Sequence, residues 1–330
     1  KTLLIGLALI VVFALFCALS GSVDAIIGFR AGWGLGNALF ISTALATIVG
    51  SATGGSSAAI VLYEAALGLG IAIGPLLGGL LGEQSWRAPF FGVVVLMAIA
   101  FLAVLVLLRG PAEKRTPVPF SAPFKALGRP ALAVLATAAF FYNIGFFILL
   151  AFSPFPLGFG AMGIGFTFFG WGIALAVTSV WVAPLLMRRM SRTRVILTVL
   201  PLLAVDLIVA GFLVESSTAL VVCIVVGGLL LGVMNTVLTE AVMEATDLPR
   251  SVASSAYSSV RFLGGAIAPP LAAALWHAFD ATVPYLVAAA AVLVAALTIF
   301  LGRRILAHID DEPDDAAVED AEAILLGDAA

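Results

Sequence analysis

The chain has 330 residues, of which 62% are hydrophobic and only 11% charged, and its mean hydropathy is +1.19. A soluble domain is about half apolar and about a quarter charged, so a globule of this composition could not cover its surface with polar groups. Soluble enzymes and nucleic-acid-binding proteins are excluded, and the remaining solvent is lipid.

A membrane-spanning helix needs ~20 apolar residues. Such stretches fall at 3–20, 25–49, 57–82, 88–108, 131–152, 161–187, 195–214, 218–239, 251–276 and 281–301. They are apolar all round rather than alternating, which predicts helices and not barrel strands. The expected fold class is therefore an all-α polytopic membrane protein with about ten spans. An even number puts both termini on one side. The connections on that side carry 13 Lys and Arg, whereas the opposite side has only Arg87; by the positive-inside rule the termini are expected to be cytoplasmic.

Residues 109–130 form the longest connection and contain Pro111, Pro117, Pro119, Pro123 and Pro130. They read as a cytoplasmic linker between a bundle at 1–108 and a six-helix bundle at 131–304. Residues 305–330 read as an acidic, disordered tail. The net charge of −3 is uneven, because nine of the 19 acids lie between Asp310 and Asp328. The chain starts Lys-Thr, without Met, and enters an apolar stretch at once, which is expected of a longer protein's fragment.

Residues 70–81, GIAIGPLLGGLL, and residues 264–275, GGAIAPPLAAAL, align at an offset of 194. Gly70, Ala72, Ile73, Pro75, Leu77 and Leu81 recur as Gly264, Ala266, Ile267, Pro269, Leu271 and Leu275, and Tyr63 falls on Tyr257. Such a repeat makes the third span equivalent to the ninth and leaves the first half two helices short. In the first copy, Gly70, Gly74, Pro75, Gly78 and Gly79 build a packing motif. Glycines at four-residue spacing let a neighbouring helix approach, and Pro75 bends its own helix.

The string Gly70-x-x-x-Gly74-Pro75-x-x-Gly78-Gly79, followed by Trp86-Arg87-x-x-Phe90, resembles motif C of the drug:proton antiporters of the major facilitator superfamily. Arg30 with Gly32, Gly34 and Gly36 resembles that group's motif B, and Arg188–Arg194 resembles the second-half echo of motif A. Three departures stand out: Val61 occupies the place of an upstream glycine, Ala31 and Gly32 stand where motif B usually has a Gln before its first glycine, and the loop 50–57 lacks the usual basic residue. The resemblance covers nearly the whole chain as family helices three to twelve, about ten of an expected 12, in a two-bundle fold.

Arg30 lies within a span, where a charge costs at least about 2.5–3.5 kcal/mol. The resemblance makes it part of proton coupling or of the electrostatics of the substrate site; the alternative is snorkelling to the interface. Glu64 is the second coupling candidate, since a carboxyl in a low-dielectric span can take up and release a proton, or else it is a structural hydrogen-bonding group. Asp206 is a weaker candidate of the same kind. Arg188, Arg189, Arg192 and Arg261, together with Glu240, Glu244 and Asp247, read as a gate or loop network. The resemblance also nominates cavity-lining helices, and on them Trp33, Asn37, Phe141, Tyr142, Asn143, Phe146, Met234 and Asn235. Aromatics and Met give an adaptable wall, and amides supply both hydrogen-bond types.

No cofactor is expected. Lysines occur only at 1, 114 and 125, histidines only at 277 and 308, and there is no Walker motif. Cys17 and Cys223 read as buried small hydrophobes, and no metal site is expected at the acidic run 310–315, which lacks His and Cys. The resemblance implies a secondary active transporter and not an enzyme. It would act as a monomer in a prokaryotic plasma membrane, exporting small amphipathic compounds against protons by alternating access. Uptake of a sugar, metabolite or organic anion, and a non-transporting receptor or assembly subunit, are the alternatives.

Overall fold

The computed structural model describes residues 2–51, 66, 70, 73–108, 119, 121–248 and 250–310. Among these residues the long elements are all helical and no strand occurs. Among the described residues, eight helices are long and apolar enough to cross a membrane. The two other expected spans coincide with the helix Val23–Ser51 and with the stretch that ends in the helix 73–84, part of which lies outside the described residues. In hydrocarbon a helix satisfies its own backbone hydrogen bonds, which is why apolar segments of this length adopt no other form.

The chain divides into two compact units. The first comprises Lys1–Pro117 and Phe159–Phe169, the second Val118–Gly158 and Gly170–Ala330. Residues 159–169 thus join the first unit, an assignment that the sequence, read as a simple division at the linker, did not anticipate.

In the first unit, α1 (Thr2–Leu19), α2 (Val23–Ser51), α3 (73–84) and α4 (Ala88–Leu107) are the main helices. Helix α1 packs on α2 where two glycines meet: a Cβ on Gly6 would stand 2.9 Å from the Gly36 carbonyl oxygen. Leu3 and Leu7, next to this contact, cluster with Ala44 and Phe40 of α2 and with Met97, Ala100, Phe101 and Val104 of α4. Pro89 lies in the first turn of α4, where its missing N–H costs nothing. Nearby, Arg87 Nη2 donates to the Ser20 carbonyl at 3.0 Å, tying the start of α4 to the end of α1.

In the second unit, short α5 (Ala122–Ala126) precedes α6 (Pro130–Phe152) and α7 (Pro154–Leu157). Helix α8 (Ala161–Val177), which belongs to the first unit up to Phe169 and to the second from Gly170, continues through a π-helical turn at Thr178–Val182 into α9 (Ala183–Met187). The wide turn frees backbone groups, and the helix at Ser217–Glu244 takes up one of them: Thr236 Oγ1 donates to the Ser179 carbonyl at 3.4 Å, while Ser179 Oγ donates to the Gly232 carbonyl of that helix at 2.9 Å. The unit is completed by α10 (Arg192–Phe212), α11 (Ser217–Glu244), α12 (Arg250–Ala278), α13 (Thr282–Gly302) and α14 (Ala307–Asp310).

Small residues set the spacing of this bundle. Alanines 288, 289, 295 and 296 of α13 are buried, and Gly145 of α6 meets Val292. Lipid tails are as apolar as leucine, so close van der Waals contact of this kind, not hydrophobic burial, holds the helices together. Residues 305–310, read from sequence as the beginning of a disordered tail, instead pack on α10 with Leu306 and Ile309 buried; residues 311–330 lie outside the described residues.

Candidate functional site

The nominated cavity residues of the second unit converge on facing stretches of α6 and α11. Tyr142 and Met234 are fully buried. Tyr142 Oη donates to Asn235 Oδ1 at 3.1 Å. Asn143 is also fully buried; its Nδ2 donates to the Ala139 carbonyl at 2.9 Å, while its Oδ1 has no hydrogen-bond partner among the described residues. Phe146 lies edge-on to Trp171, with ring centroids 6.0 Å apart, and Phe141 is half-buried, edge-on to Phe140 at 5.2 Å. The result is an aromatic wall with a few amide and hydroxyl groups set into it.

Helix α12 presses on the same part of α6. Gly264 stands against the Phe140 carbonyl and Gly265 against the Phe147 ring, positions where any side chain would collide. One turn earlier, Arg261 is half-buried, its guanidinium 5.9 Å from the Tyr257 ring centroid and 5.3 Å from that of Phe262. Arg261 Nε and Tyr257 Oη have no hydrogen-bond partner among the described residues. Sequence reasoning singled out Arg261 but placed Tyr257 only through the repeat; its closeness to Arg261 follows from the four-residue spacing on one helix.

In the first unit, Arg30 is exposed and its guanidinium sits 5.3 Å from the Trp33 ring centroid. Trp33 in turn meets Phe90 at 6.1 Å, and Phe90 meets Trp86 at 6.3 Å. Asn37 is exposed on the same helix. Of the neighbouring glycines, Gly32 lies beneath the Phe13 ring and Gly36 against Gly6 and Ile10, so these two pack α2 on α1. Glu64, the other coupling candidate, lies outside the described residues.

The motif glycines do not share one environment. A Cβ on Gly79 would stand 2.7 Å from the Ala161 carbonyl oxygen, and one on Gly165 would stand 2.9 Å from that of Pro75. Backbone meets backbone at this crossing. At Gly70, Gly74 and Gly78 a Cβ would meet nothing within 4 Å among the described residues. The partner glycine, Gly165, had no signal in the sequence beyond being one small residue among many.

At one end of the second unit, Arg188, Arg189 and Arg194 are exposed around the start of α10, with Arg192 partly buried among them. Arg192 Nε is 4.0 Å from Glu240 Oε2, and its Nη1 donates to the Ile309 carbonyl at 2.9 Å. Asp310 Oδ1 accepts from the Thr193 backbone N–H at 3.1 Å. Asp310 thereby caps the N-terminus of α10 in place of Ser191, whose side chain makes no capping bond. Among the described residues no group of His, Cys, Asp and Glu could hold a metal ion.

A multi-pass helical protein with Gly-mediated crossings and a largely apolar, amide-studded interior patch is built as a membrane carrier. The profile of the Major Facilitator Superfamily matches residues 1–269, and the chain belongs to that family. It is 50% identical over 308 residues to the multidrug efflux protein YfmO of Bacillus subtilis, covering 93% of this chain and 78% of that protein. It is also 37% identical over 122 residues to the tetracenomycin C resistance and export protein of Streptomyces glaucescens, covering 36% of this chain and 23% of that one. A crystal structure of the human organic anion transporter MFSD10 shares the fold, with a TM-score of 0.65, 18% identity, and 90% of this chain and 76% of that one covered. The chain is thus a secondary transporter of the membrane and not an enzyme.

Proposed function

We propose that this chain exports small amphipathic compounds from a bacterial cell, driven by inward proton flow, by alternating access in the plasma membrane. The observation that carries the reading is the 50% identity across 93% of the chain to a multidrug efflux protein. The Tyr142–Asn235 pair and the Phe146–Trp171 contact support it. An aromatic wall accepts many apolar shapes, and a few amides and hydroxyls orient a polar end.

Arg30 and Glu64 are the proposed coupling residues, Arg30 because it is a cation within a span, seated beside the Trp33 ring. Both termini face the cytoplasm, residues 109–130 form the cytoplasmic linker, and the monomer is the working unit. Flux of an amphipathic dye in proteoliposomes, with a pH step as the driving force, tests this. Arg30→Ala and Glu64→Gln are expected to abolish the pH-driven component while leaving dye binding. Unchanged pH-driven flux in both variants would sink the coupling assignment, and no dye movement by the wild type would sink the export reading.

A further inference from the structure

Asp206 lies on α10, away from the residues assigned above. Its residue exposure is 8%, and its Oδ2 has no hydrogen-bond partner among the described residues. The carboxyl rests on the backbone of α11: a Cβ on Gly227 would stand 3.3 Å from Asp206 Oδ2 and 2.5 Å from Leu149 Cδ2 of α6. Three helices therefore enclose it. Gly227 is bare where the carboxyl sits, and a larger residue there would expel it.

Among the described residues, the groups placed at this carboxyl supply no positive charge. From α11 comes the Cys223 thiol, one turn before Gly227. Tyr285 of α13 is fully buried, and its hydroxyl is engaged with Ser153 Oγ at 2.8 Å, just past the end of α6. From α6 comes Leu149. Helices α6, α11 and α13 contain no Lys, Arg or His at all. The basic residues of α10 itself, Arg192 and Arg194, are at least three turns away at its N-terminal end, roughly 18 Å at the rise of an α-helix.

An ionised carboxylate taken out of water without a partner cation is strongly disfavoured. A neutral carboxyl in the same place does not, and it can offer its O–H to a neighbouring acceptor. We infer that Asp206 is a proton-binding site of the second unit. It holds a proton while α6, α10 and α11 are packed as described, and surrenders it when water reaches the seam between α10 and α11. In that step the carboxyl O–H bond breaks, the proton passes to water, and the carboxylate remains. The consequence for transport rests on the proposed proton coupling; the protonated resting state does not.

Infrared difference spectroscopy of the full chain in lipid vesicles at neutral pH tests the inference. The wild type is expected to show the C=O stretch of a protonated, weakly hydrogen-bonded carboxyl, lost in Asp206→Asn and retained in Glu64→Gln. Asp206→Glu should shift that band, which keeps the assignment open to test if the Asn variant inserts poorly. In the flux assay, Asp206→Asn is expected to lose proton-driven uptake of the dye while exchange without a proton gradient persists. Absence of any band that depends on Asp206 overturns the proton-binding site. A band lost in Asp206→Asn with proton-driven flux unchanged overturns the release step. A wild type without proton-driven flux would remove the proposed coupling instead, and the band would still decide whether Asp206 holds a proton.

Discussion

Tyr142 on α6 gives its hydroxyl hydrogen to Oδ1 of Asn235 on α11 at 3.1 Å, in a part of the bundle where Tyr142 has no exposure at all. The two residues are 93 positions apart, so the bond is a measure of how α6 and α11 register. Tyr142→Phe keeps the ring and removes the donor, and is expected to cost about 0.5–1.5 kcal/mol of stability. Asn235→Ala strands the buried hydroxyl and should cost more, roughly 1–3 kcal/mol. Thermal unfolding in detergent ranks the two, and the reverse order would show that the hydroxyl finds another partner.

The motif glycines should separate by their surroundings. Gly79→Ala places a methyl 2.7 Å from the backbone oxygen of Ala161, and overpacking of this kind costs about 1–3 kcal/mol. Gly74→Ala meets nothing within 4 Å among the described residues and gains up to about 1 kcal/mol of helix propensity. Melting temperatures of the purified variants should therefore move in opposite directions. A common fall in both would mean that the whole motif packs.

Asp310 is expected to act as the cap of α10. Asp310→Ala removes the acceptor for the Thr193 N–H and should cost about 1 kcal/mol, whereas Asp310→Asn keeps an equally good acceptor and should cost little. Hydrogen exchange at the Thr193 amide reads this directly. Faster exchange in the Ala variant alone is the expected pattern, and equal protection in all three proteins would remove the capping role.

Orientation can be checked without transport. A cysteine introduced by Phe120→Cys lies in the proposed cytoplasmic linker, and the native Cys17 and Cys223 are buried. A membrane-impermeant maleimide should label it in inverted vesicles and not in intact cells. Labelling from outside the cell would reverse the proposed topology.

The spans themselves were readable because composition leaves little choice: a 20-residue segment such as 88–107 has no polar face to offer water. The glycine string was readable as a motif, yet which glycines meet a neighbour was not. Gly79 and Gly165 are over 80 residues apart in the chain and meet only after folding. Tyr142, Asn143, Met234 and Asn235 were nominated through the family resemblance, and their facing positions on α6 and α11 emerged from the fold. Trp171 was passed over, because one aromatic in an apolar span carries no mark of its partners.

Sequence alone determined that this protein is a helical, multi-pass membrane carrier of the Major Facilitator Superfamily, since hydropathy over twenty residues and short glycine motifs are local properties. Tertiary structure decided the rest: the Tyr142–Asn235 bond, the Gly79–Gly165 crossing, Asp310 on the end of α10, and the burial of Asp206 against helices that carry no Lys, Arg or His. The reason is physical. Helices that are apolar all round have no amphipathic stripe to announce which face a neighbour will cover, so pairing rests on close shape fit and on scattered polar contacts between residues far apart in the chain.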